Sequence, residues 1–229
     1  NAAINACGKG LQWLKACGLM FEMRRCHLQA DVLTYNGAMN ACGQKGAWQQ
    51  ALGLFVGMRQ QLLDPRALDY ESAISACATS GRPQEAFMLL AEMRQRLCGP
   101  GIIAYNAAIA ACGASSLWAE ALRLLPEIER QQVELDVISY NAAINACAKA
   151  ERWVEALRGL TEMRKRRFEP DRISYAPVLN ACATRKQWRH ILRVLSSMWQ
   201  THVAPDERDY NVAIHACGKE EQWHEALEL

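Results

Sequence analysis

The sequence repeats itself every 35 residues. Its six tyrosines, Tyr35, Tyr70, Tyr105, Tyr140, Tyr175 and Tyr210, all keep that interval. Seven of the ten cysteines (Cys7, Cys42, Cys77, Cys112, Cys147, Cys182 and Cys217) keep it too, as do Trp13, Trp48, Trp118, Trp153, Trp188 and Trp223, with Pro83 in the vacant tryptophan slot. Three columns at one period exclude coincidence and mark a repeat architecture, in which each unit is too small to bury its own apolar faces and must stack on its neighbours. Whole repeats occupy 32–66, 67–101, 102–136, 137–171 and 172–206, with most of one in 1–31 and the start of another in 207–229. The expected organisation is a single array over 1–229, cut at both ends from a longer protein.

Within one repeat two apolar stripes appear. Tyr140, Ile144 and Cys147, flanked by Ala143 and Ala146, recur at a spacing of four then three, which is one face of a helix. A second helix carries Trp153, Ala156, Leu157, Leu160 and Met163. The short polar turn between them often holds glycine, as at Gly46 and Gly81. Thr34, Asp69, Ser139, Ser174 and Asp209, each just before the tyrosine, are expected to cap the first helices, and Pro65, Pro100, Pro170 and Pro205 to stop the second. The fold class that follows is all-α: a right-handed superhelical solenoid of helix-turn-helix repeats. The unbroken column Ala6, Ala41, Ala76, Ala111, Ala146, Ala181 and Ala216 requires close approach of successive first helices, and the tryptophans are expected to fill the gaps between hairpins.

With 51% hydrophobic and 22% charged residues the chain has the material for a folded core, and it contains no apolar run of about 18 residues to span a membrane. Its net charge of +2 neither demands nor excludes a nucleic acid partner. Successive packed helices sit about 8–10 Å apart, too far for neighbouring column cysteines to join as disulfides. No CxxC or HExxH spacing occurs, and His27, His190, His202, His215 and His224 form no ligand set, so no metal or other cofactor is expected and the thiols read as reduced. No nucleophile with a base partner and no phosphate-binding glycine loop stands out, so the fragment is expected not to be an enzyme.

The polar positions are more selective. Asn1, Asn36, Asn106, Asn141 and Asn211 fall in the first turns of five first helices, although Asn is a poor helix former. Four residues on stand Asn5, Asn40, Asn145, Asn180 and His215, and eight on stand Lys9, Gln44, Lys149 and Lys219. A merely solvated face drifts among Glu, Lys, Gln and Ser. One held to uncharged amides suits a ligand groove, because an amide offers both donor and acceptor to the edge of an unpaired base. The lysines are expected to meet phosphate.

The phrase YNAAINACAKAERWVEALRGLTEMRKRRFEPD (140–171), with its 35-residue unit, resembles the pentatricopeptide repeat family over essentially the whole chain. The resemblance implies binding of single-stranded RNA, one nucleotide per repeat, by a monomer acting in RNA processing, stability or translation in a mitochondrion or plastid. It also implies that the base is read by the residue after the tyrosine together with the last residue of the repeat. The Asn1 and Asp31, Asn106 and Asp136, and Asn141 and Asp171 pairs then imply uracil. Asn36 with Arg66, Glu71 with Gly101, and Ala176 with Asp206 depart from that pattern. Leu33, Leu68, Ile103, Ile138 and Ile173 correspond to the family's base-clamping aliphatics, a column broken by Arg208. Two alternatives stay open: a protein-interaction solenoid of tetratricopeptide type, and the RNA-recognition region of a larger nuclease such as protein-only RNase P.

Overall fold

The computed structural model describes residues 2–219 except 11, 27, 29 and 97, and all regular structure among them is helical. The helices, in chain order, are α1 (Ala2–Lys9), α2 (Trp13–Arg25), α3 (Val32–Gln44), α4 (Trp48–Gln60), α5 (Ala67–Thr79), α6 (Pro83–Gln95), α7 (Ile102–Ala114), α8 (Trp118–Arg130), α9 (Val137–Lys149), α10 (Trp153–Lys165), α11 (Arg172–Thr184), α12 (Trp188–Gln200) and α13 (Glu207–Lys219). They fall into two compact units, residues 1–115 and 116–229. Odd-numbered helices are the first helices of the hairpins. In the first unit α1, α3, α5 and α7 pack in succession, and in the second α9, α11 and α13 do, while α4, α6, α10 and α12 each touch their own first helix and the following one.

The helix starts lie three residues upstream of the positions expected from sequence. The capping residues are Asp31, Asp136 and Asp171, whose carboxylates accept the backbone N–H of Thr34, Ser139 and Ser174 at 2.8, 2.7 and 2.9 Å. Thr34, Asp69, Ser139 and Ser174 are instead third residues inside their helices. There Asp69, Ser139 and Ser174 close the reciprocal half of a capping box, as when Asp69 Oδ2 accepts Arg66 N–H at 2.9 Å. Asp206 and Asp209 repeat the exchange before α13, at 3.1 and 3.0 Å.

The prolines are not the stops either, because α4, α6, α10 and α12 end five residues before Pro65, Pro100, Pro170 and Pro205. What ends the second helices is a left-handed residue, Leu62, Gln132, Arg167 or His202, after which the chain folds back. Leu63, Val133, Phe168 and Val203 N–H then donate to the carbonyls of Met58, Ile128, Met163 and Met198 at 3.0–3.2 Å. First helices end the same way at Gly46 (φ +71°) and Gly81 (φ +61°), with the column cysteines Cys42, Cys77, Cys147 and Cys182 supplying the accepting carbonyl.

The core lies between the two helix layers of each unit. Tyr35, Tyr70, Tyr105, Tyr140 and Tyr175 are buried, as are the alanine and cysteine columns from residue 41 on. The alanines do allow close approach: a Cβ added at Gly43 would lie 3.2 Å from that of Ala76. Hydroxyls tie successive first helices together, Thr79 to the Gly43 carbonyl at 2.7 Å and Ser115 to that of Gly81 at 2.8 Å. The half-buried tryptophans are covered by the next hairpin: Arg82 lies 4.5 Å over Trp48, Arg152 4.5 Å over Trp118, and the His190 ring 4.7 Å from Trp153. Pro126 is accommodated within an unbroken α8, and Pro177 within α11.

Candidate functional site

Two of the first-turn asparagines, Asn36 and Asn141, are not the exposed end of a polar ridge. Asn36 and Asn141 retain only 8% and 9% of their exposure, because each points into the seam between its own first helix and the next. The exposed members of the ridge are the later ones: Asn40 and Gln44 on α3, Asn145 and Lys149 on α9, and Asn180 on α11. Between α9 and α11 a shallow groove of about 300 Å³ runs past Asn145, Lys149, Ala176, Pro177, Asn180 and Thr184.

Asn141 is held at both ends of its amide. Its Nδ2 donates to Asp171 Oδ1 at 3.1 Å, and its Oδ1 accepts the single hydroxyl proton of Ser174 at 2.5 Å. Asp171 thus serves two purposes: it caps α11 and fixes the Asn141 amide. The exchange costs nothing in buried polar groups, since every partner is satisfied, and the carboxylate makes the amide contact charge-assisted. One N–H and one oxygen lone pair of Asn141 remain for a ligand, in a fixed orientation.

Asn36 is held in the same sense by a different residue. Its Nδ2 donates to Asp69 Oδ1 at 2.9 Å, and its Oδ1 accepts from Asn40 Nδ2 at 3.2 Å. Arg66, the partner expected from sequence, is exposed, and only its backbone N–H enters the seam, on Asp69 Oδ2. In the sequence Asp69 read only as a cap. The signal was there as a carboxylate at the one position where Thr34, Ser139 and Ser174 carry hydroxyls.

The other expected residues divide as follows. Asn1 and the side chains of Lys9 and Lys219 lie outside the described residues. Asp31 caps α3, and its carboxyl is held below the ordinary carboxylate range first by the Thr34 hydroxyl, 2.6 Å away. Asn106 is half-buried on α7 in the first unit, and Asp136 caps α9 in the second. Asn211 is exposed on α13. Where the residue after the tyrosine is not asparagine, no amide is offered there: Glu71 lies against Gly101, its Oε1 3.3 Å from where a Cβ would stand, and its carboxyl is pushed up by burial. Asp206, behind Ala176, is engaged by Arg172, which draws its pKa down to about 2. Leu33, Leu68, Ile103, Ile138 and Ile173 are all exposed, at 55–67%. That is unusual for a whole column of large aliphatic residues, and it leaves an apolar surface one residue from each hydroxyl or carboxylate at the helix start.

Among the described residues no group of three or more His, Cys, Asp or Glu is placed to hold a metal ion, and no helix is long and apolar enough to cross a membrane. The cysteines are free thiols. One contact escaped the sequence reading: Cys17, which is outside the periodic column, lies 3.7 Å from the column member Cys42.

Comparison with known proteins bears directly on this arrangement. The sequence matches the Pentatricopeptide repeat domain over residues 18–78, 54–115 and 160–220, the PPR repeat family over 100–149 and 135–184, and the PPR repeat over 1–28. The chain belongs to the pentatricopeptide repeat family. Among solved structures it is similar to the pentatricopeptide repeat protein PPR10 from maize, with a TM-score of 0.81 and 26% identity over 98% of this chain. It spans 32% of the length of that protein. PPR10 in complex with an 18-nt psaJ RNA element matches with a TM-score of 0.74 and 27% identity, over 98% of this chain and 31% of that one. The PPR domain of Arabidopsis thaliana protein-only RNase P 1, solved in complex with tRNA, shares the fold at a TM-score of 0.62 and 15% identity, covering 72% of this chain and 86% of that one. A search of curated proteins gave no match. The fold is therefore the all-α repeat fold of the pentatricopeptide proteins.

Proposed function

We propose that the chain binds single-stranded RNA, one nucleotide per repeat, and selects uracil where an asparagine follows the tyrosine and an aspartate closes the same repeat. The observation that carries this reading is the Asn141 amide, fixed by Asp171 and Ser174 on the same helix as Asn145 and Lys149, which line the groove between α9 and α11. A fixed amide with one free N–H and one free oxygen lone pair complements the uracil edge, whose carbonyl accepts from the amide N–H and whose ring N–H donates to the amide oxygen. The exposed Ile138 and Ile173 offer apolar surface against the base faces, and Lys149 a cation for phosphate. The likeness to a protein solved with an RNA element supports the same reading. By this reading the Asn1 and Asp31, Asn106 and Asp136, and Asn141 and Asp171 pairs read the first, fourth and fifth nucleotides, in the form U-n-n-U-U-n. Asn211 stands ready for a further one, and the lysines Lys9, Lys149 and Lys219 follow the backbone. The chain works as a monomeric, non-catalytic guide or shield in RNA processing, stability or translation in a mitochondrion or plastid.

The test is a gel shift of the 229-residue chain with a U-rich single strand and with the corresponding duplex. Retention of the single strand alone is expected. Lys149→Ala should weaken all single strands alike and flatten the salt dependence by about one unit of slope or less. Equal affinity for duplex, or no shift at all, overturns the proposal.

A further inference from the structure

The repeat that closes on Arg66 has an amide held as firmly as the one that closes on Asp171. In both, a carboxylate oxygen takes the Nδ2 proton of the first-turn asparagine, at 2.9 Å for Asn36 and 3.1 Å for Asn141. In both, the amide oxygen accepts, from Asn40 at 3.2 Å with the Ser72 hydroxyl 3.3 Å away in one, and from Ser174 in the other. Only the route differs. Asp171 reaches Asn141 from the residue before α11, whereas Asp69 reaches Asn36 from the third residue of α5, and the two residues that close the capping box have exchanged roles. Asp69 is 1% exposed, with the Arg66 N–H on one carboxylate oxygen and the Asn36 amide on the other. A carboxylate buried to that degree stays bound to its donors, because losing one would leave a charge without compensation. The orientation of Asn36 is therefore fixed from within the protein, independently of what the Arg66 side chain does.

We propose that Asp69 is a positioning residue that does for Asn36 what Asp171 does for Asn141, so that the repeat over 32–66 selects the same base as the repeat over 137–171. Two amides that each commit one Nδ2 proton to a carboxylate keep one N–H donor each in a fixed orientation, and so the same preference. On the RNA-binding reading above, on which this inference rests, that base is uracil, and the preferred strand becomes U-U-n-U-U-n. The residue that closes a repeat is then not sufficient to name its base, because an acid three residues further on replaces it.

The experiment is selection from a randomised six-nucleotide RNA pool by the full chain, with the second and fifth positions compared. A shared uracil preference is expected, of about tenfold or more over the other bases. Asp69→Ser installs the residue that stands at the equivalent place in α9 and α11, so it keeps a helix-start hydroxyl. It should abolish the preference at the second position and leave the fifth untouched. The double variant Arg66→Asp with Asp69→Ser rebuilds the Asp171 and Ser174 arrangement and should restore the second-position preference, which a loss of folding would not allow. Uracil preferred at the fifth position but no preference at the second in the unaltered chain overturns this inference and leaves the RNA reading standing. A second-position preference that survives Asp69→Ser also overturns it. Indifference at both positions, or no RNA retained, removes the inference together with the reading beneath it.

Discussion

Replacing Asp171 by alanine removes two interactions at once, and the structure says how large each is. The carboxylate caps α11 through the Ser174 N–H at 2.9 Å, and losing such a cap costs about 1 kcal/mol. It also takes the Nδ2 proton of Asn141, a residue 9% exposed, so the substitution leaves a buried donor unpaired at about 1–3 kcal/mol. The expected destabilisation is about 2–4 kcal/mol. Asp171→Asn should behave differently, since asparagine is about as good a cap and its carbonyl oxygen still accepts from both donors; the expected cost is less than about 1 kcal/mol. Urea unfolding of both variants followed by circular dichroism measures the difference, and exchange of the Ser174 amide hydrogen locates it at the start of α11. A cost below about 0.5 kcal/mol for Asp171→Ala, or equal costs for the two variants, would refute the account of Asn141 as an amide held by its neighbour.

Three further outcomes are expected. Cys17 has its thiol drawn below the ordinary range by the Cys42 thiol 3.7 Å away, so iodoacetamide should alkylate it faster at neutral pH than the other cysteines, and Cys42→Ala should slow it; an unchanged rate contradicts the contact. Leu62, 95% exposed at φ +58°, holds a left-handed conformation that costs a leucine about 1 kcal/mol, so Leu62→Gly should leave stability unchanged or raise it by up to about 1 kcal/mol in thermal unfolding, and a clear loss would show that the side chain packs. The Asp206 carboxyl is depressed from 3.8 to about 2 by Arg172, so its contribution to stability is complete above pH 3.8 and is lost as the pH falls toward about 2; Asp206→Asn should remove that part of the acid limb, and a titration of the Asp206 carboxyl at its ordinary value refutes the pairing.

The period was legible because stacking makes the same demand of every unit. A tyrosine ring that must fill one slot between hairpins, or an alanine that must let two helices touch, recurs wherever the slot recurs. The exact helix starts were less legible, since a capping box puts polar residues at both of its ends. Asp136 and Ser139 are equally plausible caps when read alone, and only the backbone shows that the aspartate lies outside the helix and the serine inside. The prolines misled in the same way: they follow a helix end that a left-handed residue has already made, and at Leu62 that residue carries no turn signature at all. At the site, the period marked Asn141, and the family resemblance, not the period, paired it with Asp171. Asp69 and Cys17 were not legible, because each acts across a seam on a residue that the period does not link to it.

The central claim is that an amide fixed at Asn141 reads one base, and selection from a randomised six-nucleotide RNA pool before and after Asn141→Thr tests it most directly. The unaltered chain should enrich uracil at the fifth nucleotide. The variant, whose shorter hydroxyl retains neither the amide N–H nor its contact with Asp171, should lose that enrichment by about tenfold or more while the first and fourth positions stay as they were. A fifth position equally tolerant in both proteins, or a loss spread evenly over all positions, would contradict the account and leave Asn141 a buried helix-seam residue with no part in choosing a base.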